Sequence, residues 1–286
     1  MWGAMPPRAS AALLCAVLSV APGPAVARFI PPEGQVLRQV LIEERSEPGP
    51  PQRFTTEREL VFARTATGFA VTVTVLRADP DASDSGAMFG AAMAGLRGQP
   101  IVFQLDVEGR LVAIDDEVKV WTRLRGAIAA MATNAPHPEP QRQRILETMI
   151  ATLERLSPAQ RRAILGSMIE QIVAGPLADR QPGRHFITRP ARAPGGTETV
   201  LRGREVVKLV AGALVIETDA RGRIAAATAP QKTPPANIAL SIRQRVDAAR
   251  GLVLESRTER TTIIGTGPAA RRARSVVTHS ILPKVS

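Results

Sequence analysis

Between Phe69 and Val75 the chain alternates strictly: Phe69, Val71, Val73 and Val75 are apolar, with Thr72 and Thr74 between them. A period of two puts one row against a core and the other toward water or a cavity, so this segment is a β-strand. Ile238, Leu240 and Ile242, alternating with Ala239, Ser241 and Arg243, repeat the pattern far downstream. Between these segments the period changes. Trp121, Leu124, Ile128 and Met131 are spaced by three and four, as are Ile145, Met149, Ile150, Leu153 and Leu156, and then Ile164, Leu165, Met168, Ile169 and Ile172. These are the stripes of one-sided helices. The order β, helical, β constrains the chain to the α+β class: a curved, mostly antiparallel sheet of about eight to ten strands with a three-helix block inserted at 116–174.

Local signals fill in this frame. Strands are expected at 36–44, 54–63, 101–105 and 111–114, with a short Ala/Met helix at 85–96 that brings Met88 and Met93. Asp115 and Asp116 stand where a helix N-cap is wanted, and Glu117 adds negative charge to the first turn. Ser157-Pro158 opens the third helix of the block and Gly175-Pro176 closes it. The stretch 177–196, rich in proline and arginine, reads as a long polar loop. Later strands are expected at 205–210, 214–218, 224–228, 238–245, 252–258 and 275–281. The motif Asp-x-x-Gly-Arg occurs at Asp106–Arg110 and again at Asp219–Arg223, with a longer variant at Asp247–Gly251. Each reads as a hairpin turn in which Asp bonds nearby backbone and Gly supplies the positive φ.

The N-terminus carries an export signal. Arg8 precedes the apolar run Ala11–Val20; Pro22-Gly23-Pro24 breaks it, and Ala25-Val26-Ala27 offers small residues to a signal peptidase. The run is short of the roughly 20 apolar residues that span a bilayer. Residues 1–27 are therefore a signal peptide, 28–286 a single domain, and the compartment periplasmic or secreted. Cys15, preceded by the bulky Leu14, does not make a lipobox, and it is the chain's one cysteine. Cleavage leaves no thiol for a disulfide, a zinc site or a nucleophile, so the fold must rest on its own core.

The formal charge is +11, and all but four of the 37 basic residues are arginine. With no tyrosine and abundant Ala, Gly and Pro, this usage fits a GC-rich genome as well as it fits phosphate binding. Export also removes nucleic acid as a partner. Anionic lipid remains. Arg271, Arg272 and Arg274 form the densest late cluster, placed at a hairpin tip beside Gly265–Pro268, and are the candidates for an anionic surface or another envelope protein.

No residue set points to catalysis, a metal or a cofactor. His137, His185 and His279 lack a second ligand at metal spacing, no Gly-x-Ser-x-Gly elbow occurs, and no phosphate loop or dinucleotide fingerprint is present. Gly265-Thr266-Gly267 lies between strands and reads as a turn. The chain is thus expected to be non-enzymatic. The helical stripes bring Trp121, Leu124, Ile128, Met131, Met149 and Met168 to one side, and methionine suits adaptable apolar surfaces. They are the expected lining of a groove between sheet and helical lid for an apolar or amphipathic ligand.

The leader, the N-terminal hairpins, the segment FQLDVEGRLVAID (103–115) leading into the Trp-bearing helix, and VDAARGLVLESRTERT (246–261) resemble uncharacterised secreted or periplasmic proteins of GC-rich proteobacteria, domains of unknown function. More distantly, the pattern is similar to the lipoprotein-carrier half-barrel, an open curved sheet that shelters an acyl chain under helices. The resemblance implies an envelope compartment and that architecture, with a helical block longer than a simple lid. It assigns no functional residue. N-terminal sequencing of the protein isolated from its host is expected to begin at Arg28; a first residue of Met1 would refute the export signal.

Overall fold

A computed structural model describes residues 29–47, 50–133, 140–192, 198–224 and 235–284. The leader, the prolines around His137 and all but the first residue of the strand expected at 224–228 lie outside the described residues. The strands are β1 (Val36–Ser46), β2 (Gln52–Arg64), β3 (Gly68–Asp79), β4 (Pro100–Asp106), β5 (Leu111–Ile114), β6 (Gly183–Arg192), β7 (Glu198–Val210), β8 (Ala213–Ile224), β9 (Ala236–Asp247), β10 (Leu252–Ile264) and β11 (Arg271–Pro283). The helices are α1 (Asp84–Ala94), α2 (Glu117–Thr133), α3 (Pro140–Arg155) and α4 (Pro158–Glu170).

All eleven strands form one antiparallel sheet in the order β5-β4-β3-β2-β1-β11-β10-β9-β8-β7-β6. The α+β class therefore holds, with an open, curved sheet that exceeds the expected eight to ten strands. The path explains the layout. The chain starts at the centre with β1 and walks outward by hairpins to the edge at β5. Through α2–α4 it crosses to the opposite edge at β6, then walks back until β11 pairs with β1. The helical block is thus a bridge between two sheet edges.

One face of β1–β5 carries Leu37, Leu60, Phe62, Val71, Val73, Ile101 and Phe103, all buried against the helices. Trp121, Leu124 and Ile128 of α2 and Leu165, Met168 and Ile169 of α4 fill the other side of this core. The alternation expected at 69–75 supplies its floor directly. Ser157 caps α4 in a reciprocal box with Gln160, as its sequence indicates. Phe29 packs edge-on against Phe62 and Phe69, with centroids 5.8 and 5.3 Å away.

Two of the three Asp-Gly motifs are turns. Asp106 Oδ1 accepts from the backbone N–H of Glu108 and Arg110 at 2.9 Å, and Gly109 has φ 81°. Asp247 Oδ1 accepts from Arg250 N–H at 3.0 Å, and Gly251 has φ 69°. Both glycines abut Phe29: a Cβ on either would stand 3.0 to 3.1 Å from ring atoms. The two turns therefore clasp the start of the described chain. The third motif is corrected. Asp219–Arg223 runs straight through β8, because β7 and β9 pair with it on both sides. Gly222 there permits close approach, since a Cβ would meet the Val200 carbonyl oxygen at 2.8 Å.

Three further expectations change. The polar loop at 177–196 contains β6, paired with β7 over ten positions; Pro190 is tolerated because β6 is an edge. Asp115 gives its carboxylate to the Gln104 side-chain amide, at 3.0 and 3.2 Å. Asp116, at φ 51°, offers Val120 N–H its backbone carbonyl, so the acids at this helix start are placed differently from an ordinary N-cap. Finally, α4 ends at Glu170, and Gly175–Leu177 forms a separate 3-10 turn.

Phe103 is fully buried between sheet and helices. Its replacement by alanine leaves a cavity that packed neighbours cannot close, and should lower unfolding stability by about 3–5 kcal/mol. Urea titration measures this, and a loss below about 1 kcal/mol would contradict the packing described.

Candidate functional site

The helix-bearing face changes character at the middle of the sheet. Over β1–β5 it is apolar but for Gln39, Thr56 and Arg58; over β9–β11 polar residues interrupt the apolar rows. Register fixes which residues meet. Gln244, Ser256 and His279 form one row across β9, β10 and β11, and Ile242, Thr258 and Val277 form the next. These two rows floor a cavity of about 600 Å³. Glu170 and Gln171 at the end of α4, Pro176 and Leu177 of the 3-10 turn, and Arg180 and Arg189 complete its lining.

The roof is held in two ways. Leu252 joins Val173 in an isolated bridge, and Val253 N–H donates to the Ile172 carbonyl at 2.8 Å, so the chain after α4 is tied to the start of β10. Arg180 Nε lies 3.1 Å from Glu205 Oε1 on β7. The Glu205 side chain is fully buried, and its other oxygen accepts from Thr218 Oγ1 at 3.4 Å. A buried carboxylate needs such partners, and Arg180, itself half-exposed, supplies the opposite charge from the rim. The pair therefore fixes where the 3-10 turn sits above the sheet.

His279 is buried, and its Nε2 is 3.1 Å from the Val253 carbonyl oxygen. A carbonyl only accepts, so Nε2 carries the hydrogen of the neutral ring. Burial pushes this imidazole below its ordinary value, against the smaller opposing effect of the Val253 bond. Ser256 is its register partner, yet no hydrogen bond joins the two side chains among the described residues. A serine nucleophile would need that bond and a third orienting group. Nearer the apolar core, Gln39, Thr56 and Arg58 form a second buried polar group on β1 and β2. Arg58 Nη1 donates to the Met168 carbonyl at 3.3 Å, and burial pushes its guanidinium down to about 10.

The six helical residues expected to line a groove fall elsewhere. Trp121, Leu124, Ile128 and Met168 are buried in the core under the helices; Met149 packs partly buried against it, and Met131 is half-buried. None of them lines this cavity. The bulky floor of β2–β4 fills the space beneath α2, so the stripe is core and the opening lies beyond the end of α4. The cavity residues carried a sequence signal of their own. Gln244 breaks the row Ile238, Leu240, Ile242, Val246, and His279 stands between Val277 and Ile281.

The arginine triplet is also redistributed. Strand period places Arg271 on the helix-bearing face and Arg272 and Arg274 on the opposite one, at the start of β11. Arg274 donates from Nε and Nη2 to the two Glu259 oxygens, at 2.7 and 3.0 Å, and holds that carboxyl below the usual range. His185 Nε2 contacts the Gln181 carbonyl at 3.0 Å. Among the described residues no three His, Cys, Asp or Glu side chains are grouped to hold a metal ion, and no helix is long and apolar enough to cross a membrane.

No family model and no curated protein matches the sequence. Among solved structures, a LolA superfamily protein from Nitrosomonas europaea overlaps 91% of this chain and 91% of its own, at 8% identity and a TM-score of 0.20. That overlap is too slight to carry fold or function across.

His279 makes the site acid-sensitive. The unfolded chain binds a proton near the ordinary imidazole value of 6.5, while the buried ring resists it. Stability contributed by neutral His279 is therefore lost as pH falls through about 6.5, until the folded ring itself protonates. Tm measured between neutral and mildly acidic pH should fall more steeply for the wild type than for His279→Gln. Parallel curves would show that His279 does not carry this dependence.

Proposed function

We propose that the chain is an exported binding protein, non-enzymatic, whose ligand lodges on the helix-bearing face in the cavity between β9–β11 and the segment following α4. The carrying observation is the pairing of two rows: a polar Gln244–Ser256–His279 row beside an Ile242–Thr258–Val277 row. Ligand sites combine apolar contact area with a few placed polar groups, in volumes of roughly 300–1,000 Å³. Arg180 and Arg189 in the lining add positive charge, although Arg180 already answers Glu205. The ligand class these groups favour is amphipathic: an apolar body over Ile242, Val277 and Leu177, with a polar or anionic end toward Arg189. The sequence-level expectation of a ligand under α2, against Trp121, is replaced by this placement.

The amphipathic anion 8-anilinonaphthalene-1-sulfonate is a suitable probe. It should bind saturably with enhanced fluorescence and leave Trp121 emission unchanged, since Trp121 is buried in the core away from the cavity. Val277→Phe, which fills the floor, and Arg189→Gln, which removes the charge, should each weaken binding about tenfold, equivalent to about 1.4 kcal/mol. Thermal melting checks that both variants fold. Unchanged affinity in both, or a probe that shifts Trp121 emission, would overturn the placement.

A further inference from the structure

On the sheet face opposite the helices, the edge formed by β6 and β7 combines two features that rarely share a surface. Phe186 is 92% exposed. Register places Arg204 directly beside it, Arg202 on one diagonal, and Arg184 two residues back along β6. Arg202 in turn faces Arg221 on β8. Among the described residues none of these four arginines forms an ion pair. They line a depression of about 650 Å³ that also contains Glu217 and Asp219. Glu217 is shared with Lys208 and Arg243, at 3.8 and 3.6 Å. The same face continues with Arg243, Arg245 and Arg257, which cluster around a second depression.

Arg204 faces Asp219 across β7 and β8, but the four arginines outnumber the two acids of the depression and nothing among the described residues covers Phe186. A phenylalanine ring left in water forgoes the free energy of burial, and unpaired arginines packed together repel one another. A partner that accepts both is one with anionic, phosphate-bearing groups directly above an apolar layer. Guanidinium forks match phosphate geometry, and an aromatic ring among cations suits the boundary between headgroups and acyl chains. Val200 and Ile263, both partly exposed on this face, add apolar contact away from Phe186. A single-stranded nucleic acid would ask for successive stacked aromatics, and among the described residues this edge presents one exposed ring.

We propose that the face opposite the helices docks on a bilayer rich in anionic phospholipid, with Phe186 at the headgroup boundary and Arg184, Arg202, Arg204 and Arg221 on lipid phosphates. The cavity lies on the other face, so docking leaves it turned away from the lipid. The surface stands independently of the cavity's ligand.

The test is co-sedimentation of the mature chain with vesicles of phosphatidylglycerol mixed with phosphatidylcholine, and with vesicles of phosphatidylcholine alone. Binding is expected only to the mixed vesicles and should weaken as salt is raised. At about fivefold per arginine near such a surface, Arg184→Gln/Arg202→Gln/Arg204→Gln should lose on the order of a hundredfold in affinity. Phe186→Ser should weaken binding about tenfold. The control Arg97→Gln/Arg271→Gln, exposed cations away from this edge, should retain wild-type binding. Equal binding to both vesicles, full binding by the triple variant, or an equal loss in the control would overturn the proposal. So would single-stranded DNA that displaces the protein from mixed vesicles. Anilinonaphthalenesulfonate binding by the same variants should be unchanged, so failure of the membrane surface and failure of the cavity are read separately.

Discussion

The pairing of β1 with β11 governs the rest of the molecule. Ten residues of each strand lie in antiparallel register at the centre of the sheet, joining what would otherwise be two separate meanders. Because β1 begins at that centre, the first half of the chain can only grow outward to β5. The second half must then begin at the far edge and grow inward. The connection between the two edges has to cross a face, and α2–α4 are that connection. The helical cover is thus a consequence of strand order, and its extent decides where the sheet is dry and where it is open.

The cover is incomplete, and side-chain polarity follows its boundary. Where α2 and α4 lie on β1–β5, the inward rows are Leu, Phe, Val and Ile, with Gln39, Thr56 and Arg58 as the polar exceptions. Past the end of α4 the inward row includes Gln244, Ser256, Thr258 and His279. Buried polar groups cost free energy unless they are bonded, so their concentration at this boundary is informative. Glu205 accepts from Thr218 on one oxygen and sets the other, which has no hydrogen bond, in an ion pair with Arg180, while His279 uses a backbone carbonyl. Arg58 is the most expensive member, a buried cation that donates to the Met168 carbonyl of α4 while its Nε has no hydrogen-bond partner among the described residues. It links the polar group on β2 to the helix whose end roofs the cavity.

Sequence reading succeeded where local pattern and tertiary burial coincide. Phe69–Val75, Ile238–Ile242 and Ser157-Pro158 each carry enough local information to specify their own state. It failed where pairing across strands overrides local chemistry. Asp219–Arg223 has the same turn residues as Asp106–Arg110, yet ladders on both sides hold it extended. Strand β6 has no long apolar row and contains Pro190; its strand state comes from β7 alone. The helical stripes show a subtler limit. Periodicity shows which side of α2 is apolar, but a core and a ligand groove ask for the same residues. What separates them is the bulk of the opposing strands, which only the register reveals.

A single extra residue in β10 shows how closely the two faces are coupled. Val253 pairs with Val246 and Glu255 pairs with Arg245, so a bulge lies between them. A bulge reverses the parity of every later residue in its strand. Upstream of it, odd-numbered Val253 points into the core. Downstream, even-numbered Ser256 and Thr258 point into the cavity, and Arg257 and Glu259 point to the opposite face. Were Leu254 instead to pair regularly with Arg245, that assignment would invert, burying a guanidinium and a carboxylate beneath the 3-10 turn and exposing the serine and threonine. The polar cavity floor and part of the charged outer face are thus products of one backbone irregularity. Deleting Leu254 would leave Val253, Glu255 and Ser256 in regular alternation and both faces of β10 unchanged, so the bulge is the device that absorbs Leu254 between two fixed registers.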